Sequence, residues 1–235
     1  MRDWLRRWLG RGVELDEAQR QRLENWRARP QPGLNGPLRQ SRCVVVDVET
    51  TGLNLMHDRL ISIGAVALVE GRIALSDSFY VVLQQRTASG KENILLHGIG
   101  TAQQLEGVPP VDALLDFLEY LGDSPLVAFH VTFDETMIRR AMSEHMGFAF
   151  RHAWLDLAYL MPALNPPLAQ RYRSLDDWIG HAGIRIDVRH NALADALATA
   201  QLLQVAQAQA GAKGISDLAG LRDLEQAQRW VSRVS

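Results

Sequence analysis

The stretch VVVDVETTG, residues 44–52, joins a valine run to two carboxylates that stand one residue apart. β-Branched residues without polar alternation are typical of a central strand that is buried on both faces. Alternate residues of a strand point to the same face, so Asp47 and Glu49 should project together at its carboxyl end. A buried charge is costly unless it is paired or bound to a metal. The stretch therefore indicates either a solvated strand end or a cation site.

The other patterns predict a mixed α/β sheet flanked by helices. Residues 59–83 form two strand patterns around a Glu70-Gly71 turn, and residues 125–129 form another short apolar strand. Ser174 and Asp177 have the spacing of a capping box, which starts a helix that ends near Gly183. Residues 154–160 fit either a strand or a helix. Further helices are expected over residues 111–121, 134–146, 192–209 and 216–231.

The domain organisation follows from composition. Residues 1–36 are expected to be a basic helical extension and linker, residues 40–212 the main domain, and residues 213–235 a helix that packs on it. Up to Arg42 the chain carries ten arginines and five acidic residues, so this part is +5 and the remainder is −7. A basic arm is suited to a polyanionic partner, although a solvated helical face explains it equally well.

Composition also narrows the cellular setting. The sequence has no apolar stretch of the length that crosses a bilayer and no signal-peptide pattern at its N-terminus, so we expect a cytoplasmic protein without stable membrane association. Cys43 is the only cysteine, which excludes an intramolecular disulfide and a thiolate metal cluster.

A third carboxylate follows the second apolar strand. PLVAF, residues 125–129, leads into a turn that places Asp134 near the start of a helix. An acidic residue in a first turn often interacts only with the helix dipole. In an α/β sheet, however, the carboxyl ends of neighbouring strands form the functional crevice, so Asp134 could meet Asp47 and Glu49 there.

The segment HNALADA supplies a fourth acid and a histidine. His190 and Asp195 would lie roughly 140° apart around one helix, so they converge only if His190 is in the preceding loop and Asp195 is one turn inside the helix. Asp195 is the only charged residue between Asn191 and Ala210, and an isolated acid on such an apolar helix needs a partner.

Four acids and a histidine predict a metal-dependent hydrolase. Carboxylate oxygens favour Mg²⁺ or Mn²⁺ over zinc. Two such divalent ions can activate a water and stabilise the leaving oxygen during attack on a phosphodiester, and a neutral His190 can accept the proton of the water.

At these positions the chain resembles the DEDDh exonucleases, a family that includes the proofreading epsilon subunit of bacterial DNA polymerase III, ribonuclease T and oligoribonuclease. The matching motifs are DVETTG (47–52), FD (133–134) and HNALAD (190–195), and the resemblance covers roughly residues 42–210. It implies a ribonuclease H-like fold with a five-stranded mixed sheet. It also implies release of nucleoside 5′-monophosphates from a 3′ end.

The resemblance assigns roles residue by residue. It implies that His190 is the general base and that the metal ligands are Asp47, Glu49, Asp134 and Asp195, with Asp47 bridging two ions. Phe129 and His130 stand where many members carry His-Asn, so His130 could support the site or contact substrate, and Phe133 could stack on a base or pack in the core. The residues expected to contact substrate are Thr50, Thr51, Leu53, His97, His130 and Phe133.

Three functions remain open at this point. The first is a free-standing 3′–5′ exonuclease on single-stranded or frayed nucleic acid, with DNA favoured over RNA. The second is the same chemistry in a subunit of a polymerase or repair assembly, docked through residues 1–30. The third is a catalytically silent module that binds nucleic acid or a partner, which the complete set of ligands disfavours.

Overall fold

The computed structural model describes residues 14–33, 36–37 and 40–234. Residues 1–13 of the expected basic extension lie outside these residues. A helix of this extension, α1, spans Glu17–Arg27 and packs on the domain through Leu23 and Trp26, both of which belong to the core. The indole N–H of Trp26 donates to the carbonyl of Gly122 at 2.9 Å. This helix is therefore part of the folded body.

A mixed five-stranded sheet forms the centre of the fold, as the sequence predicted. Its strands are β1 (Arg42–Thr50), β2 (Leu60–Val69), β3 (Arg72–Val82), β4 (Leu126–Ala128) and β5 (Trp154–Asp156), in the order β3-β2-β1-β4-β5. β1 pairs antiparallel with β2 and parallel with β4. β2 and β3 form the expected hairpin, and β5 pairs parallel with β4. The carboxyl ends of β1, β4 and β5 consequently lie at one edge.

The valine run lies between two layers of helices. Val44, Val46 and Val48 face one hydrophobic cluster, and Val45 faces the other. Helices of the first cluster are α1, α4 (Pro110–Leu121) and α5 (Val131–Met146). Helices of the second are α6 (Leu157–Leu164), α7 (Leu175–His181), α8 (Ala192–Ala212) and α9 (Leu218–Val234). The prediction of a strand buried on both faces is confirmed.

Some local predictions needed refinement. The ambiguous stretch 154–160 is both elements in turn, since β5 ends at Asp156 and α6 starts at Leu157. The capping box of α7 is confirmed, with Ser174 accepting from the amide of Asp177 at 3.1 Å. Two short helices were not predicted, α2 (Lys91–His97) and α3 (Thr101–Leu105). Within the described residues, none of the helices is long and apolar enough to cross a membrane.

Candidate metal centre and active site

Three acidic side chains converge where β1 ends. Asp47, Glu49 and Asp195 each offer one carboxylate oxygen, and these oxygens lie within 4.8 Å of one another. Asp47 and Glu49 come from the same face of β1, as their spacing predicted, and Asp195 comes from the first turn of α8. A shift in the β1–β2 register between Glu49 and Thr50 marks the point where the chain turns away from the sheet.

A glycine in the neighbouring strand lets α8 approach the carboxylates. Gly64 of β2 is paired with Asp47 of β1. A Cβ atom at Gly64 would overlap the backbone of Ala192 and Leu193, the first residues of α8. Because no side chain is present, the first turn of the helix lies directly on the sheet, and Asp195 reaches the face that Asp47 and Glu49 share.

Asp134 approaches the same edge from α5. Its side chain is buried, and its charge is the largest charge effect among those that raise the pKa of Asp47. It does not belong to the three-residue group within 4.8 Å that is found among the described residues. The structure thus places Asp134 as an electrostatic neighbour of the closer trio.

Crowding of acids perturbs their protonation. Burial, followed by the charges of Asp134, Asp195 and Glu49, raises the pKa of Asp47 well above its usual range. Burial and the charge of Asp195 raise the pKa of Glu49 to about 7. Carboxyl groups in such surroundings stay ionised at neutral pH when a cation lies among them.

These residues fit a hard divalent cation. The three convergent donors are carboxylate oxygens, the ligands preferred by Mg²⁺ and Mn²⁺, and they approach each other closely enough to share an ion. Burial and mutual repulsion would both be relieved by a bound positive charge.

His190 lies in the loop before α8, as the convergence argument required. Its backbone has a positive φ of 58°, and its N–H donates to Oδ2 of Asp195 at 3.1 Å. Asn191 caps the helix by accepting from the amide of Ala194 at 3.2 Å. His190 is exposed to solvent.

Arg189 is a residue of the site that sequence reasoning missed. One guanidinium nitrogen, Nη1, contacts Oδ1 of Asp195, and Nε lies 2.7 Å from Oδ1 of Asp176 on α7. No short motif could have identified it, because Asp176 is thirteen residues away and only the packing of α7 beside α8 brings the two together.

The loop after β1 is closed by its own hydrogen bonds. Oγ1 of Thr51 donates to Oδ1 of Asp58 at 2.7 Å, and Oδ2 of Asp58 accepts from the amide of Asn54 at 2.7 Å. From α5, Arg140 donates to the carbonyl of Asp58 at 2.9 Å. Leu53 protrudes from this braced loop with 85% of its surface exposed. A rigid loop with an apolar tip is suited to contact a nucleotide base.

Thr50 and His97 are linked through Asn93. Thr50 is buried, and its hydroxyl donates to the carbonyl of Gly52 at 2.6 Å. His97 is only 3% exposed; its Nδ1 accepts from the amide of Ile99 at 3.1 Å, so Nε2 carries the proton that faces Asn93 Oδ1 at 2.6 Å. Asn93 in turn donates to the carbonyl of Thr50 at 2.9 Å.

These hydrogen bonds engage both ring nitrogens of His97 and hold the ring in place. Burial lowers the pKa of His97, which favours the neutral ring that the hydrogen bonds require. The structure connects His97 to the end of β1 through Asn93, a residue that the motifs did not indicate. Direct contact between His97 and substrate stays a prediction.

His130 and Phe133 lie at the start of α5. His130 has a positive φ of 67°, and the backbone N–H groups of His130 and Val131 donate to the carboxylate of Asp156 at 3.0 and 3.1 Å. The His130 side chain is exposed, whereas Phe133 packs partly buried against the core. Asp156, which is 1% exposed and also bonded by Arg229 at 3.1 Å, thus anchors the helix that carries Asp134.

Comparison with known proteins is consistent with this geometry. The RNase_T family model, described as exonuclease, matches residues 44–203. PolC-type DNA polymerase III is 34% identical over 162 residues in Clostridium perfringens, 32% over 160 in Thermotoga maritima and 31% over 180 in Bacillus subtilis. These matches cover 68%, 68% and 76% of this chain. They cover 11%, 11% and 12% of those proteins, so the chain spans about a ninth of the length of the curated relatives it matches.

Solved structures share the fold. Escherichia coli exonuclease I in complex with a dT13 oligonucleotide aligns with a TM-score of 0.62 at 16% identity, over 73% of this chain and 42% of that one. Exonuclease I from Methylocaldum szegediense aligns with a TM-score of 0.60 at 17% identity, over 72% of this chain and 40% of that one. The five-stranded sheet with its flanking helices is thus the fold of known exonucleases.

Proposed function

Because the chain belongs to the exonuclease family, of the DEDDh type, we propose that it is a metal-dependent 3′–5′ exonuclease. The substrate is the 3′ end of single-stranded or frayed nucleic acid, with DNA favoured, and the products are nucleoside 5′-monophosphates. The observation that carries this proposal is the convergence of Asp47, Glu49 and Asp195 beside the loop that holds His190. Burial of three acids at one edge of the sheet is unfavourable unless a bound cation offsets their repulsion.

Divalent metal is the cofactor we propose, as two Mg²⁺ or Mn²⁺ ions held by Asp47, Glu49, Asp134 and Asp195. When bound, such ions lower the pKa of a water and neutralise charge on the leaving oxygen. The charges of Asp134 on α5 and of Glu49 on its own strand both raise the pKa of Asp47, which supports a role for this carboxylate that is shared between the two ions.

The protein's own groups position the proton transfer. The backbone N–H of His190 donates to Asp195, so this hydrogen bond holds the main chain that carries the imidazole next to a residue of the carboxylate cluster. An exposed ring there can accept a proton from the attacking water and pass it to solvent. Leu53 and the braced loop around it hold the terminal nucleotide, together with Thr50 and Thr51.

The preference for DNA is supported by the relatives. The relatives named above are DNA polymerases, and one structural neighbour is a complex with a DNA oligonucleotide. The same relatives also support the second candidate, in which this chain works beside a polymerase. Since α1 is packed on its own domain, docking would then fall to the residues that precede it, within the proposed segment 1–30.

Hydrolysis of labelled substrates tests the proposal. We expect 5′-labelled single-stranded DNA, RNA and a mismatched duplex to be shortened stepwise from the 3′ end with Mg²⁺ or Mn²⁺, with DNA degraded fastest. The matched variant Asp47→Asn, which keeps the shape of the side chain and removes its charge, should lose this activity. Shortening that persists in EDTA or in Asp47→Asn contradicts the metal mechanism. Binding without cleavage by the wild type favours the silent module.

A further inference from the structure

Arg189 forms a bridge between two helices at the edge of the carboxylate cluster. It precedes His190 and lies outside the three motifs. Its Nη1 contacts Oδ1 of Asp195 on α8, while Nε and Nη2 lie 2.7 and 3.3 Å from the two carboxylate oxygens of Asp176 on α7. Because Asp176 binds two nitrogen atoms of the guanidinium, the third nitrogen has a defined orientation toward Asp195.

The charge of Arg189 acts on the whole cluster. Arg189 lowers the pKa of both Asp47 and Glu49, whereas burial and the neighbouring acids raise it. The side chains of Arg189 and Asp195 are 26% and 8% exposed, so their ion pair is partly shielded from water. Shielded pairs interact more strongly than those on an open surface. Arg189 therefore offsets repulsion among the acids that converge here.

Arg189 and a divalent metal need the same carboxylate. Oδ1 of Asp195 faces the guanidinium, and Oδ2 accepts the backbone N–H of His190. A metal ion close to Asp195 and a guanidinium on the same group would repel each other, because both are positive. Asp176 is 64% exposed, so it offers Arg189 a well-solvated partner away from the cluster.

We propose that Arg189 is a displaceable counter-ion of Asp195: the guanidinium pairs with this carboxylate until a divalent metal binds, and then remains on Asp176 alone. Arg189 is in this sense a positioning residue that sets the metal affinity of the site. The inference rests on the proposed function, since it requires the carboxylates to bind metal.

Metal binding itself is the test, without any nucleic acid. Titration of Mn²⁺ into the 235-residue chain by calorimetry compares wild type with Arg189→Gln, Arg189→Lys and Arg185→Gln. Arg189→Gln should bind Mn²⁺ about tenfold tighter, because a competing unit charge is gone from a partly shielded position. Arg189→Lys keeps the charge and should stay near wild type. Arg185 is exposed in the same loop, so Arg185→Gln is the matched control for net charge and should also stay near wild type.

A second pair of variants tests the exchange from the other side. Asp176→Asn removes the partner that receives the displaced guanidinium, so Mn²⁺ should bind severalfold more weakly. Asp187→Asn, at an exposed position of the same loop, controls for loss of a negative charge and should have little effect. This pair decides the question even if Arg189→Gln does not fold, which circular dichroism would reveal.

The outcomes separate this inference from the proposed function. Equal or weaker Mn²⁺ binding by folded Arg189→Gln overturns the counter-ion role and leaves the metal site standing. A gain in Arg185→Gln as large as in Arg189→Gln also overturns it, since the effect would then be net charge alone. If neither the wild type nor any variant binds Mn²⁺, the metal-dependent function itself is refuted.

Discussion

Replacing Gly64 by alanine should damage the active site without touching any acidic residue. A Cβ at this position would lie 2.6 Å from the carbonyl oxygen of Ala192, and ordinary contact begins at 3.4 Å. The first turn of α8 must therefore retreat from β2 by at least about 0.8 Å, taking Asp195 with it. The neighbour is helix backbone, which cannot rotate aside as a side chain could.

The expected losses follow from that displacement. Overpacking of this kind costs about 1–3 kcal/mol of unfolding free energy. A misplacement near 1 Å at a catalytic group lowers the rate by roughly a hundredfold. Gly64→Ala should therefore remain folded, with a lower unfolding temperature, weaker Mn²⁺ binding and a kcat reduced by about two orders of magnitude.

A glycine of α8 itself provides the control. Gly211 lies near the other end of α8, and a Cβ there meets nothing within 4 Å. Gly211→Ala should raise stability by about 0.5–1 kcal/mol, because glycine is a poor helix former, and should leave kcat unchanged. Thermal unfolding, Mn²⁺ calorimetry and nuclease rates would be measured on both. A Gly64→Ala protein with wild-type kcat and Mn²⁺ affinity would refute the idea that close helix approach positions Asp195.

Three further predictions concern the same region. With EDTA present, the unfolding temperature should fall as pH rises from about 5 to about 7.5, because the raised pKa values of Asp47 and Glu49 let the folded state keep protons that the unfolded state has lost. Mn²⁺ should restore more stability at the upper pH. A flat unfolding temperature across this range in EDTA would contradict the prediction. Asn93→Leu leaves the Nε2 proton of His97 and the carbonyl of Thr50 without their hydrogen-bond partner. The free energy of unfolding, measured with denaturant, should therefore drop by about 1–3 kcal/mol. In steady-state kinetics, kcat should fall by a larger factor than KM changes. Leu53→Ala should raise KM for single-stranded DNA and spare both stability and Mn²⁺ affinity, because the side chain is 85% exposed; unaltered KM would remove Leu53 from substrate binding.

Periodicity and local chemistry were sufficient to predict the frame of the site. Alternation along β1 placed Asp47 and Glu49 on one face, and the five-residue separation of His190 and Asp195 required a loop followed by a helix. Both arguments use only the geometry of a strand and of one helical turn, which nearby residues determine. The three motifs then identified the family that the comparisons confirm.

Long-range packing supplied what those patterns lacked. Asp156 holds the start of α5, Asn93 links His97 to Thr50, and Arg189 joins Asp176 to Asp195. Each of these side chains makes at least one bond to a group carried by another element or loop, and spacing along the chain carries no trace of that bond.

The sequence alone determined the sheet, the run of valines at its centre and the identity of the acids, because burial and alternation are properties of short segments. Tertiary structure alone decided how closely those acids approach one another and that the guanidinium of Arg189 faces them. The close approach depends on Gly64, whose lack of a side chain lets α8 lie on β2. The position of the Arg189 guanidinium depends on the packing of α7 beside α8, because Asp176 of α7 binds it. Electrostatic energy varies with distance over a few ångströms, and only the folded chain sets distances of that kind between remote residues.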